Sequence, residues 1–170
     1  MKGRGSTVLE FNGGSFLLGD ELRTECEYAL SLKRRRAYGE LDEKYISNPE
    51  LCNKVGIIRG LRNTGKTIMM YQFAGRPEFI NQSAYIRLRY KSGVDVASLC
   101  KQIDTLYRKH GIKYFYVDEV TWADDFIDMA ADFSDNWSTG STVKIVLSGT
   151  DSLGFAFAAQ HELHHRYVGS

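Results

Sequence analysis

Apolar residues along this chain recur in two rhythms. Over 54–59, 113–117 and 142–147 they form short β-rich runs, each reading as a strand. Over 84–90, Ala84-Tyr85-Ile86-Arg87-Leu88-Arg89-Tyr90, apolar and polar residues alternate, which suits a half-exposed edge strand. Between these runs the rhythm becomes helical. Thr67 to Ala74 reads as a helix stopped by Gly75 and Pro77, and 94–110 places Val96, Leu99, Ile103 and Leu106 on one face before Gly111. Residues 122–137 carry Phe126, Met129, Ala130 and Phe133 at the same spacing, and 152–165 reads as a final helix. Ahead of all this, 8–11 and 15–18 flank Asn12-Gly13-Gly14 as a small hairpin. Residues 19–45 look helical, with Leu22, Cys26, Ala29, Leu30 and Leu32 as an apolar stripe, and Asn48-Pro49 marks the turn into the first core strand. Repeated βα units predict an α/β sandwich with a mostly parallel sheet. The reading divides the chain into a hairpin and helical extension, 1–48, and a core, 49–170.

The first core strand runs into Gly60-Leu61-Arg62-Asn63-Thr64-Gly65-Lys66-Thr67, which spells G-x-x-x-x-G-K-T, the phosphate-binding Walker A pattern. The amides of such a loop must turn inward around a polyanion, and glycines permit that path. Gly60, Arg62, Asn63, Thr64, Gly65, Lys66, Thr67 and Ile68 are the candidate nucleotide-binding residues. Lys66 would neutralise the β- and γ-phosphates, the Thr67 hydroxyl would ligate Mg²⁺, and the following helix would aim its positive end at the anion. Strand, glycine loop and helix is the order this motif requires.

The run 113–117 ends in Asp118 and Glu119. An apolar strand closing on adjacent carboxylates fits the Walker B pattern, in which Asp118 would hold Mg²⁺ and Glu119 would act as general base on the attacking water. The run 142–147 ends in Ser148-Gly149-Thr150-Asp151-Ser152. A strand here would lie between the other two and offer a polar residue to the γ-phosphate or the water. Ser148 is the first candidate and Thr150 the second, while turn or helix-cap roles for both stay open.

Composition narrows the classes. The chain has 170 residues, 43 % hydrophobic and 25 % charged, with a formal net charge of +1. That fits a globular domain and gives no electrostatic case for nucleic acid or a membrane. No apolar run approaches the ~20 residues that span a bilayer, and no signal-peptide core precedes the fold. Cys26, Cys52 and Cys100, odd in number and without metal spacing, suit reduced thiols and a cytoplasmic setting. The basic run Lys33-Arg34-Arg35-Arg36 reads as a solvated helix face balanced by Glu40, Asp42 and Glu43. His161-Glu162-Leu163-His164-His165 matches H-E-x-x-H, yet no third ligand follows it, and a polar terminal helix is the better reading.

Taken together, 59–67, 114–121 and 146–155 resemble prokaryotic AAA-type ATPases of the archaeal-ATPase-like group, over about 50–167. The resemblance implies a three-layer P-loop fold of the ASCE type with strand order 5-1-4-3-2. It implies ATP rather than GTP, with Mg²⁺ as cofactor, and no N-K-x-D run argues for guanine. In this group an arginine after the last helix leads into a fifth strand. Arg166-Tyr167-Val168 begins that step, so strand 5 is expected to be missing or incomplete and the core truncated at its C-terminal end. Arg166 is the arginine-finger candidate. The expected activity is ATP hydrolysis, with Lys66, Glu119 and Ser148 as catalytic residues and Thr67 and Asp118 on the metal. Its product would be a conformational change read by an unknown protein partner, by the group's C-terminal domain, or within an oligomer. The competing reading is a nucleotide-dependent switch with little turnover. A small-molecule kinase is disfavoured by the lack of an arginine-rich lid after Glu119.

Overall fold

The computed structural model describes residues 9–11, 14–48, 55–59, 65–91, 93–126, 132–133, 143–149 and 167–169. Seven strands form one sheet: β1 Leu9–Phe11, β2 Gly14–Leu18, β3 Val55–Arg59, β4 Ser83–Leu88, β5 Tyr114–Asp118, β6 Lys144–Gly149 and β7 Tyr167–Gly169. Their spatial order is β1-β2-β4-β5-β6-β3-β7. The five core strands β7-β3-β6-β5-β4 are parallel and run in the expected 5-1-4-3-2 order. Strand 5 is present as three residues, Tyr167 to Gly169, paired with Val55 to Ile57.

Alternation within the strands sorts their side chains into two cores, as expected of a sheet covered on both faces. Ile57, Ile86, Phe115, Val117, Ile145 and Leu147 face helix α4, Val96–His110. Ile58, Tyr85, Tyr116 and Val146 face helices α1, Gly19–Ser31, α2, Arg36–Leu41, and α3, Lys66–Ala74. Helix α4 begins at Asp95, whose carboxylate accepts from the Ser98 amide at 2.8 Å, and ends at the left-handed Gly111.

Three expectations change. The strand at 83–88 is no edge: β2 of the hairpin pairs with it antiparallel, from Gly14 opposite Leu88 to Leu18 opposite Ala84, and only Arg87 of the strand is exposed. The helix expected over 19–45 breaks at 32–35, then resumes as α2 and a π-helical turn, Asp42–Ile46. Residues 120–122 form a 3₁₀ turn rather than the start of a helix. Of the run to 137, Phe126, Asp132 and Phe133 are described as helical, and Phe126 and Phe133 pack edge to face at 5.8 Å. The terminal helix expected over 152–165 lies outside the described residues. Among the described residues no helix is long and apolar enough to cross a membrane.

The N-terminal segment is fastened to the core at several points. Buried Lys144 donates to the Tyr45 carbonyl at 2.8 Å and to that of Asn48, and lies 4.5 Å from the Tyr45 ring centroid. The Tyr45 hydroxyl accepts from the Ile145 amide at 2.9 Å. Helices α1 and α3 meet so closely that a Cβ on Gly75 would lie 2.6 Å from Cys26 Cβ and 3.0 Å from Leu30 Cδ1.

Two outcomes follow from that contact. Gly75→Ala should destabilise the fold by about 1–3 kcal/mol through overpacking, outweighing alanine's smaller backbone entropy cost, as read from urea midpoints. Burial pushes the Cys26 thiol up to about 12. Folding therefore favours the neutral thiol. Its contribution to stability is full below the unfolded-thiol pKa of about 8.5 and is lost as pH rises from there towards the folded value. Urea unfolding at pH 7 and pH 10 should show that decline, and Cys26→Ser should flatten it.

Candidate functional site

Because alternation is strict, residues two apart on neighbouring strands present side chains to the same face. Tyr85 on β4, Asp118 at the end of β5 and Ser148 on β6 all follow the parity of the face that α3 covers. Asp118, only 4 % exposed, gathers them. Its Oδ1 accepts from the Ser148 hydroxyl at 2.6 Å. Its Oδ2 accepts from the Thr67 hydroxyl at 2.6 Å and from the Tyr85 phenol. A carboxylate only accepts, and this one is matched by three donors. Burial first, then the charge of Asp118, pushes the Tyr85 phenol well above its ordinary range, so it stays a donor at neutral pH.

Glu119 leaves the strand with φ 53 and ψ 54, a left-handed conformation rare outside glycine. The kink turns the chain out of the sheet directly after Asp118 and points the Glu119 amide at the Ser148 oxygen, 2.9 Å away. Ser148 thus donates to one acid and accepts from the backbone of the next. Gly65, at φ 83, is the left-handed N-cap of α3, and its carbonyl accepts the first helical hydrogen bond, from Met69, at 3.0 Å. Lys66 opens the helix and is 7 % exposed.

Of the residues expected at the site, Thr67, Asp118, Ser148 and the Glu119 backbone come together, with Lys66 and Ile68 on the adjoining turn of α3. Gly60, Arg62, Asn63, Thr64, Thr150 and Arg166 lie outside the described residues, as do His161, Glu162 and His165. Among the described residues no group of three or more His, Cys, Asp or Glu could hold a metal ion. Tyr85 was missed. Its only signal was its place at an odd position of β4, which becomes informative once β4 and β5 are known to be adjacent. Ser148→Ala should cost about 1–3 kcal/mol in urea unfolding, because it removes a donor to a buried carboxylate and an acceptor for the Glu119 amide.

Residues 52–169 match the family described as AAA domain. No curated protein matches the chain. Solved structures to which it is similar include PCH-2 of C. elegans, 18 % identical with a TM-score of 0.47, covering 90 % of this chain and 44 % of that one. Rhizobiales Trip13 is 14 % identical with a TM-score of 0.49, covering 94 % of this chain and 69 % of that one. The DnaC helicase loader is 10 % identical with a TM-score of 0.43, covering 85 % of this chain and 97 % of that one. The chain spans less than half the length of the PCH-2 chain.

Proposed function

This chain belongs to the AAA domain family, and we propose that it binds ATP in the loop 60–67 and hydrolyses it to ADP and phosphate. The observation that carries this reading is the 2.6 Å hydrogen bond between Thr67 and Asp118, which joins the glycine-loop helix to the acid at the end of β5. Nothing in ordinary packing requires a buried carboxylate at that junction.

Magnesium fits these donors. Thr67 offers a hydroxyl oxygen and Asp118 a carboxylate, the hard oxygens this cation takes alongside water and phosphate. Once bound there, the ion supplies neutralising charge to the phosphates. The rest falls to the chain. Lys66 binds the β- and γ-phosphates and offsets charge that grows on them in the transition state. Glu119 orients a water in line with the γ-phosphorus and takes its proton. Ser148 holds the Asp118 carboxylate and the Glu119 amide, which fixes the two acids relative to each other.

The competing reading, a switch with little turnover, rests on a missing or incomplete fifth strand and on an unassigned arginine finger. The pairing of Tyr167–Gly169 with β3 supplies part of that strand, and we retain hydrolysis as the proposal. Residues 1–48 form an extension to a core of 49–170, and a protein partner, a further domain or a second copy reads the nucleotide state.

Lys66→Ala should weaken ATP binding at least about 100-fold in calorimetry with Mg²⁺. Glu119→Gln should bind ATP like the wild type and lose about 10²- to 10⁴-fold in phosphate release. Unchanged binding by the alanine variant would overturn the loop assignment. Wild-type turnover by the glutamine variant would remove Glu119 as the base.

A further inference from the structure

The basic run at 33–36 is solvated, all four residues being exposed, but it is not one helix face. It straddles the break between α1 and α2, and its members diverge. Arg34 lies over the Tyr38 ring, 4.6 Å from its centroid, and Arg36 pairs with Glu40 at 2.9 Å. Lys33 and Arg35 turn instead to a pocket of about 270 Å³ walled by Leu32, Gly65 and the face of α3 that carries Ile68, Met69 and Gln72. The Arg35 guanidinium reaches Gly65 itself: a Cβ there would lie 3.0 Å from Nη2 and 3.1 Å from Cζ.

The loop is held in that place by the glycine-loop helix. Buried Gln72 donates from Nε2 to the Ala29 carbonyl at 3.0 Å and to the Leu32 carbonyl at 3.2 Å, so an α3 side chain satisfies the end of α1. The result is a guanidinium beside the N-terminal end of the glycine-loop helix, whose first residue is the buried Lys66. An anion at the Gly65–Lys66 turn meets the helix's positive end and this guanidinium together. A guanidinium presents a planar fork of donors that matches phosphate oxygens.

We propose that the loop 32–35 is a second wall of the nucleotide site, with Arg35 hydrogen-bonded to the polyphosphate where it leaves the glycine loop and Lys33 adding charge at the pocket's rim. The inference rests on the nucleotide reading above and adds a ligand-binding residue outside the matched core.

The test is calorimetry of the full chain with ADP and with ATP, in Mg²⁺, for wild type, Arg35→Ala, Arg35→Lys and Lys66→Ala, with melting curves recorded for each. Arg35→Ala should weaken both nucleotides about 10- to 100-fold, the size of one charge-assisted hydrogen bond. Arg35→Lys, which keeps the charge and loses the fork, should fall between. Hydrogen exchange supplies a readout that fold stability alone would not move: ADP should protect the amides of 32–36 in the wild type and leave them unprotected in Arg35→Ala. If Lys66→Ala loses binding while both Arg35 variants bind within twofold of wild type, the inference is overturned and the site reading stands. Tighter binding by Arg35→Ala overturns it as well. If Lys66→Ala binds like the wild type, the site reading fails and takes this inference with it.

Discussion

Asp118 is the constraint around which the molecule is arranged. Taking a carboxylate out of water costs several kcal/mol unless hydrogen bonds replace the lost hydration. Here the replacements come from three separate elements: Thr67 on α3, Tyr85 on β4 and Ser148 on β6. Each works only if its element is in register with β5. Tyr85 stands opposite Tyr116 and Val117 opposite Leu147, which leaves Tyr85 and Ser148 on the face of Asp118. A slip of one residue in either strand would send its hydroxyl to the α4 side and strand the charge. Sheet register and site assembly are thus one requirement.

The segment before the core is built into the same structure. β2 continues the sheet beyond β4, Lys144 reaches from β6 to the carbonyls of Tyr45 and Asn48, and Gln72 secures the end of α1. These are contacts to buried polar groups, and a backbone carbonyl left without a partner would cost about 1–3 kcal/mol. The hairpin therefore extends the sheet, while α1 and α2 join α3 on the face that carries Asp118 and Ser148.

What could be read from the sequence was whatever depended on neighbours along the chain. β3, β5 and β6 announce themselves as apolar runs. The acid at the end of one run and the serine at the end of another share a parity that needs no coordinates once the runs are known to be adjacent. The misreadings share the opposite cause. β4 has an alternating look because of Arg87, yet its open edge is filled by a hairpin far away in sequence. The apolar stripe from Leu22 to Leu32 gives no hint that the helix stops there, because the group that takes up its terminal carbonyls is Gln72. Arg35 looked like one charge among four for the same reason: only the fold of α1 against α3 sets it beside Gly65.

β3, the strand that leads into the glycine loop, lies between β6 and β7, and both follow it only after half of the chain or more. During synthesis it leaves the ribosome with neither neighbour available. Val55 waits for Ile145 on one side and for Tyr167 on the other, while β4 and β5 can pair with each other sooner. An apolar strand left unpaired for that interval is a target for chaperones and for misassociation. The order of translation therefore leaves β3, the strand ahead of the glycine-rich motif, without a partner on either side until β6 and then β7 have followed it.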